Sequence, residues 1–118
     1  MMVEEDGYLQ VFTTIDRSND AEKISKLLVK NRLAACVQVV GPITSTYWWE
    51  GKMEQSKEFL LLVKTRNSAY EKVEQLIIQN HPYEVPEIVA IPITRGSARY
   101  LDWIRKEVEE GDQAGKKF

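Results

Sequence analysis

Between Ala34 and Thr65 the chain carries two long runs of strand-forming residues joined by a turn, and no other feature limits its folding so strongly. Ala34 to Val40 (AACVQVV) is apolar without clean alternation, the pattern of a strand covered on both faces. Gly41-Pro42 interrupts it, and Ile43 to Glu50 resumes in strand chemistry with Thr44, Thr46, Tyr47, Trp48 and Trp49. This reads as one long strand, bent or bulged at the Gly-Pro. Gly51-Lys52 supplies a hairpin turn, and Lys57 to Thr65 (KEFLLLVKT) returns with an unbroken apolar centre suited to the interior of a sheet. Such a hairpin exceeds the average strand of about 5–6 residues. With apolar and aromatic groups on both parities of 34–49, it invites aggregation unless both faces are covered.

The flanking sequence supplies one cover. Tyr8 to Ile15 (YLQVFTTI) reads as a first strand. Asn19 and Glu22 have capping-box spacing, and Ile24, Leu27 and Leu28 mark one face of a helix ending near Asn31. Ser68 and Glu71 form a second such box ahead of Tyr70, Val73, Leu76 and Ile77, and Pro82 stops this helix at Asn80-His81. Ile88 to Ile93 (IVAIPI) is a last strand, on a sheet edge because Pro92 donates no ladder bond. Gly96 opens a third helix with Tyr100, Leu101, Ile104 and Val108 at helical spacing. The order β-α-β-β-α-β plus a C-terminal helix predicts an α+β, ferredoxin-like βαββαβ sandwich with a long β2-β3 hairpin. Two helices cover one sheet face. The second face needs either the third helix or other copies of the chain, and the length of the hairpin favours a homo-oligomer.

Composition limits function. The 118 residues predict a single domain, with a core over about 8–108 and flexible tails at 1–7 and 109–118. A net charge of −2 argues against a nucleic-acid partner bound by bulk positive field. There is no run long and apolar enough for a membrane helix, and no basic-apolar leader precedes Glu4, Glu5 and Asp6, so the expected compartment is the cytoplasm. One Cys and one His exclude an internal disulfide and a Cys/His zinc site. No glycine-rich phosphate loop occurs. Cys36 sits mid-strand as a small hydrophobe, without a cationic neighbour in sequence to make a reactive thiolate. His81 is placed either to cap a helix C-terminus or to bind a metal. Trp48 and Trp49 point to opposite sides of their strand, one toward a core or interface and the other toward a pocket. Lys64 and Arg66 read as a solvated strand end.

Several segments occur in a specific order: Leu33-Ala34-Ala35-Cys36-Val37, Tyr47-Trp48-Trp49-Glu50-Gly51-Lys52, Leu62-Val63-Lys64-Thr65, His81-Pro82-Tyr83-Glu84-Val85-Pro86-Glu87, and Tyr100-Leu101 followed by Trp103. With them the chain closely resembles the CutA family of divalent-cation tolerance proteins from about Tyr8 to Val108. The resemblance implies a homotrimer joined through the hairpins, non-enzymatic, with a role in tolerance of divalent cations and copper in particular. It also implies a likeness to trimeric PII signalling proteins, which bind small ligands between subunits. Some bacterial relatives carry a Cys in the first strand and a His-His pair before Pro-Tyr, where this chain has Thr13 and Asn80-His81. The metal candidates are therefore His81, Cys36 and Glu84, with Glu87 as a further carboxylate. In the PII-like alternative, Trp49, Lys64, His81 and Tyr83 line a cleft for a small anionic ligand.

Overall fold

A computed structural model describes residues 6–108. In chain order the elements are β1 (Tyr8–Ile15), α1 (Ser18–Lys30), β2 (Cys36–Trp49), β3 (Lys52–Arg66), a short 3-10 turn (Asn67–Ala69), α2 (Tyr70–Asn80), β4 (Val89–Ile93) and α3 (Ala98–Glu107). The strands form one antiparallel sheet in the order β2-β3-β1-β4. The apolar β3 is interior, and Pro92 lies on the edge strand β4, as its missing donor requires.

The hairpin is longer than the sequence reading, because β3 begins at Lys52 rather than Lys57. Its turn also falls one residue earlier, at Glu50-Gly51, with Trp49 paired to Lys52. Both turn residues have positive φ, 52° and 82°, the two-residue geometry that matches strand twist. The bulge lies where Gly41-Pro42 predicted it: Val40 pairs with Leu60 and Ile43 with Glu58, so two residues oppose Phe59. Gly41 is required there. A Cβ on it would sit 2.9 Å from Phe59 Cδ1 and 3.0 Å from the Glu58 carbonyl oxygen. The bulge also inverts the parity of β2, which explains why its apolar residues switch from one register to the other along the strand.

One face of the sheet is closed by α1 and α2. Val11, Ile15, Leu61 and Val63 pack against Ile24 and Leu28 of α1 and Val73 and Ile77 of α2, all at 0% exposure. Neither predicted capping box forms. α1 starts at Ser18 after an extended Arg17, so Asn19 lies inside the first turn, and Glu22 pairs with Lys26 at 2.9 Å. Ser68 instead donates its hydroxyl to Asp6 Oδ2, and its backbone N–H donates to Oδ1, each at 2.8 Å. The side-chain cap that does form is Ser97, which accepts from the Tyr100 N–H and starts α3 two residues after Gly96.

The other face is covered at one end only. Arg66, read from the sequence as solvated, is 7% exposed. Its guanidinium donates to the carbonyls of Arg105 and Val108 at 3.1 Å and pairs with Asp6 at 2.6 Å. A cation at the last turn of α3 complements the helix dipole. α3 spans about 15 Å. It crosses the Arg66 and Cys36 end and leaves Val40, Val89 and Ile91 at 44%, 50% and 48% exposure. The third helix therefore does not close the second face. Of the tails expected at 1–7 and 109–118, residues 1–5 and 109–118 lie outside the described residues, whereas Asp6 and Gly7 are anchored rather than free, the latter accepting from the Asn67 N–H at 2.7 Å.

Candidate functional site

Beyond the bulge the hairpin projects past the end of β1, where the segment after α2 folds back beside it. His81 takes the extended backbone expected before Pro82. Its ring does not cap α2. Nε2 lies 2.8 Å from the Thr14 carbonyl oxygen, and Nδ1 lies 3.2 Å from the Tyr83 backbone nitrogen. A carbonyl only accepts and an N–H only donates, so this network assigns the proton to Nε2 and the free lone pair to Nδ1. Both ring nitrogens are engaged. The ring also meets Tyr83 edge-on at a centroid distance of 4.5 Å.

Tyr83 carries the link to the hairpin. Its hydroxyl donates to Glu58 Oε2 at 2.7 Å. Burial, then the hydrogen bond and negative charge of Glu58, hold the phenol well above its usual titration range. Glu58 is 6% exposed, a buried carboxylate at the front of the apolar run of β3. Register places Ser56 of β3, and Tyr47 and Trp49 of β2, on the same side of the hairpin, with Tyr47 donating to Ser56 at 3.3 Å.

Together these groups bound an open cleft of about 820 Å³ between the hairpin arm and the segment from Tyr83 to Glu87. Trp49, Tyr83, Glu84 and Glu87 border it, as does Trp48, which is 75% exposed. Lys64 does not. It belongs to the opposite end of the hairpin, where its ammonium donates to Gln38 at 2.7 Å. Glu58 and Lys64 stand about 20 Å apart along β3 at the rise of an extended strand. Cys36 pairs across from Lys64, and its sulfur lies 3.9 Å from the Tyr100 hydroxyl, whose titration is raised by burial and by that contact. His81 supports the cleft from behind through Tyr83 rather than bordering it. Glu58, Asp16 and Tyr47 border the cleft and escaped the sequence reading. Glu58 had one signal, a lone carboxylate heading an otherwise apolar strand.

The metal candidates do not converge. Cys36 is at the far end of the hairpin, both His81 nitrogens have partners, and Glu84 stands on the exposed wall of the cleft. Among the described residues no three His, Cys, Asp or Glu side chains are grouped to hold a metal ion. Thr13, at the first-strand position of interest, is fully buried on the helix-covered face. The described residues of one chain thus do not group to fit a resident copper ion.

Fold and cleft together define an α+β sandwich of ferredoxin-like topology with an extended, cleft-bearing hairpin. The chain belongs to the CutA1 divalent ion tolerance family, whose profile matches residues 9–107. It is 47% identical over 96 residues to the divalent-cation tolerance protein CutA of Thermus thermophilus, covering 81% of this chain and 93% of that one. It is 37% identical over 100 residues to the chloroplastic protein CutA 1 of Oryza sativa, covering 85% of this chain but 56% of the longer plant protein. Among solved structures, the periplasmic divalent cation tolerance protein CutA of Archaeoglobus fulgidus superposes with a TM-score of 0.84 at 42% identity, covering 86% of this chain and 99% of that one. Those names span two compartments, so the cytoplasm expected from the sequence is not a property of the family. No helix among the described residues is long and apolar enough to cross a membrane.

Proposed function

We propose that the chain acts in divalent-cation tolerance as a non-enzymatic homotrimer, in which copies close one another's open sheet faces and the hairpin cleft holds a small ligand. The open face carries this reading. Val89, Phe12 and Leu62 are aligned across three strands by register, and Leu60 and Val40 pair beside them. Val40, Val89 and Ile91 remain about half exposed on this face, and on the opposite side of the hairpin Trp48 and Met53 stand out at 75% and 69%. Apolar surface of this extent on a small domain marks an interaction site. Closed symmetry is the ordinary way to bury it against identical copies, and the family resemblance supports three.

Copper enters this reading as a cation to be tolerated, not as the occupant of a site within one chain. A copper site would draw ligands from more than one copy. The decisive experiment is sedimentation equilibrium at micromolar concentration, for which we expect three times the 13.7 kDa chain mass. A stable species of single-chain mass overturns the assembly. Calorimetric titration with copper should give equal affinity for the wild type and His81→Ala, because both imidazole nitrogens are already bonded. A loss confined to the variant would restore His81 as a ligand.

A further inference from the structure

We propose that the hairpin cleft selects a small organic cation, an alkyl ammonium or guanidinium compound, rather than an anion or a bare metal ion. This rests on reading the cleft as a ligand site and adds the sign and shape of its ligand.

Charge is the first argument. Asp16, Glu58, Glu84 and Glu87 border the cleft, and among the described residues no Lys or Arg does. Among the described residues no bordering cation offsets these four carboxylates for an anion, and the Lys64 ammonium is held by Gln38 at the other end of the hairpin. The second argument is the buried carboxylate. Glu58 is 6% exposed yet faces the cleft, and the hydrogen bond on its Oε2 comes from the neutral Tyr83 hydroxyl. A phenol leaves the charge of the carboxylate uncompensated, and an ammonium or guanidinium group would compensate it. The third argument is the wall. Tyr47, Trp49 and Tyr83 border the same space, and aromatic faces attract a cation while packing against an alkyl stem.

Shape separates an organic cation from a metal ion. A metal needs several donors within one coordination sphere, and among the described residues no three such side chains are so grouped. The carboxylates are instead spread around a cleft of about 820 Å³, a volume within the range of small-molecule sites. Separated charges with aromatic walls between them suit a ligand carrying cationic groups on an apolar stem.

The test is titration of the wild-type protein with agmatine, spermidine, ATP and copper chloride. Tryptophan fluorescence is the readout, since Trp48 and Trp49 border the cleft. Saturable binding of agmatine or spermidine and none of ATP is expected. Glu58→Gln, which keeps an acceptor for Tyr83, should weaken it about tenfold, and Trp49→Leu similarly. Glu84→Gln alters an exposed side chain and should weaken it a few-fold without touching the fold. Saturable ATP binding overturns the sign of the ligand. Copper binding that is lost in Glu58→Gln but retained in Trp49→Leu overturns its organic nature. Mass is read by light scattering on the same samples, so a trimer that binds neither amine overturns this inference while leaving the assembly intact.

Discussion

The two faces of the sheet are built from the same strands and nearly the same residue types, yet the chain closes only one of them. Leu61 and Leu62 are neighbours on β3. Leu61 is fully buried under the helices, while Leu62 faces the other way into a partly exposed band with Phe12 and Val89. On the closed face α1 and α2 bring Ile24, Leu28, Val73 and Ile77 down onto the sheet. On the open face α3 covers one end, fixed by Arg66, and nothing else in the described chain reaches the remainder. Apolar side chains on a strand thus record where a surface must be buried, not which molecule buries it.

Paired truncations put that comparison to its hardest test. Leu61→Ala should cost about 2–5 kcal/mol in denaturant unfolding at any protein concentration, because the cavity lies within one chain. Leu62→Ala should show its cost as a concentration-dependent midpoint, since partner binding contributes to apparent stability by mass action. Concentration-independent losses of equal size from both would break the distinction.

A smaller effect sharpens the account of the cleft. Tyr83→Phe should cost about 1–2 kcal/mol by removing the bond to Glu58. It should also reduce alkaline sensitivity. The phenol holds its proton more tightly in the folded protein than in the unfolded chain, where tyrosine titrates near 10. The contribution is full below about pH 10 and falls as pH rises beyond it. Chemical denaturation from pH 8 to 11 should therefore show a shallower decline for Tyr83→Phe. Tyr70 and Tyr100 are also raised by burial, so some slope remains. An unchanged slope would detach Tyr83 from the titration.

The smallest expected change is a gain on the closed face. Thr13 is fully buried, and its hydroxyl has no hydrogen-bond partner among the described residues, unlike that of Thr65, which donates to the Leu33 carbonyl at 2.6 Å. Thr13→Val should stabilise by about 1 kcal/mol, read as a higher Tm. Destabilisation would mean that the hydroxyl has a partner.

Much of the fold was legible because its causes are local. Gly41-Pro42 imposes the bulge, Pro92 demands an edge, and the apolar centre of β3 requires neighbours on both sides. Both capping boxes misled, because spacing alone does not tell whether a side chain has a better partner elsewhere. Ser68 finds one in Asp6, far back in sequence. Arg66 looked solvated because the carbonyls that bury it come from a helix some 40 residues later. The aromatic wall was half legible in Trp49 and Tyr83, whereas Glu58 and Asp16 become site residues only when the segment from His81 to Glu87 folds back against the hairpin. Grouping Lys64 with them failed for the same reason, since strand length carries it about 20 Å away.

The central claim is that the open face is an assembly face, and one substitution addresses it directly. Ile91 is 48% exposed on the edge strand, on the side away from α1 and α2. Light scattering of Ile91→Asp beside the wild type, at equal micromolar concentration and with helix and strand content checked by circular dichroism, should give three chains for the wild type and one folded chain for the variant. A folded Ile91→Asp that keeps the wild-type mass would contradict the account.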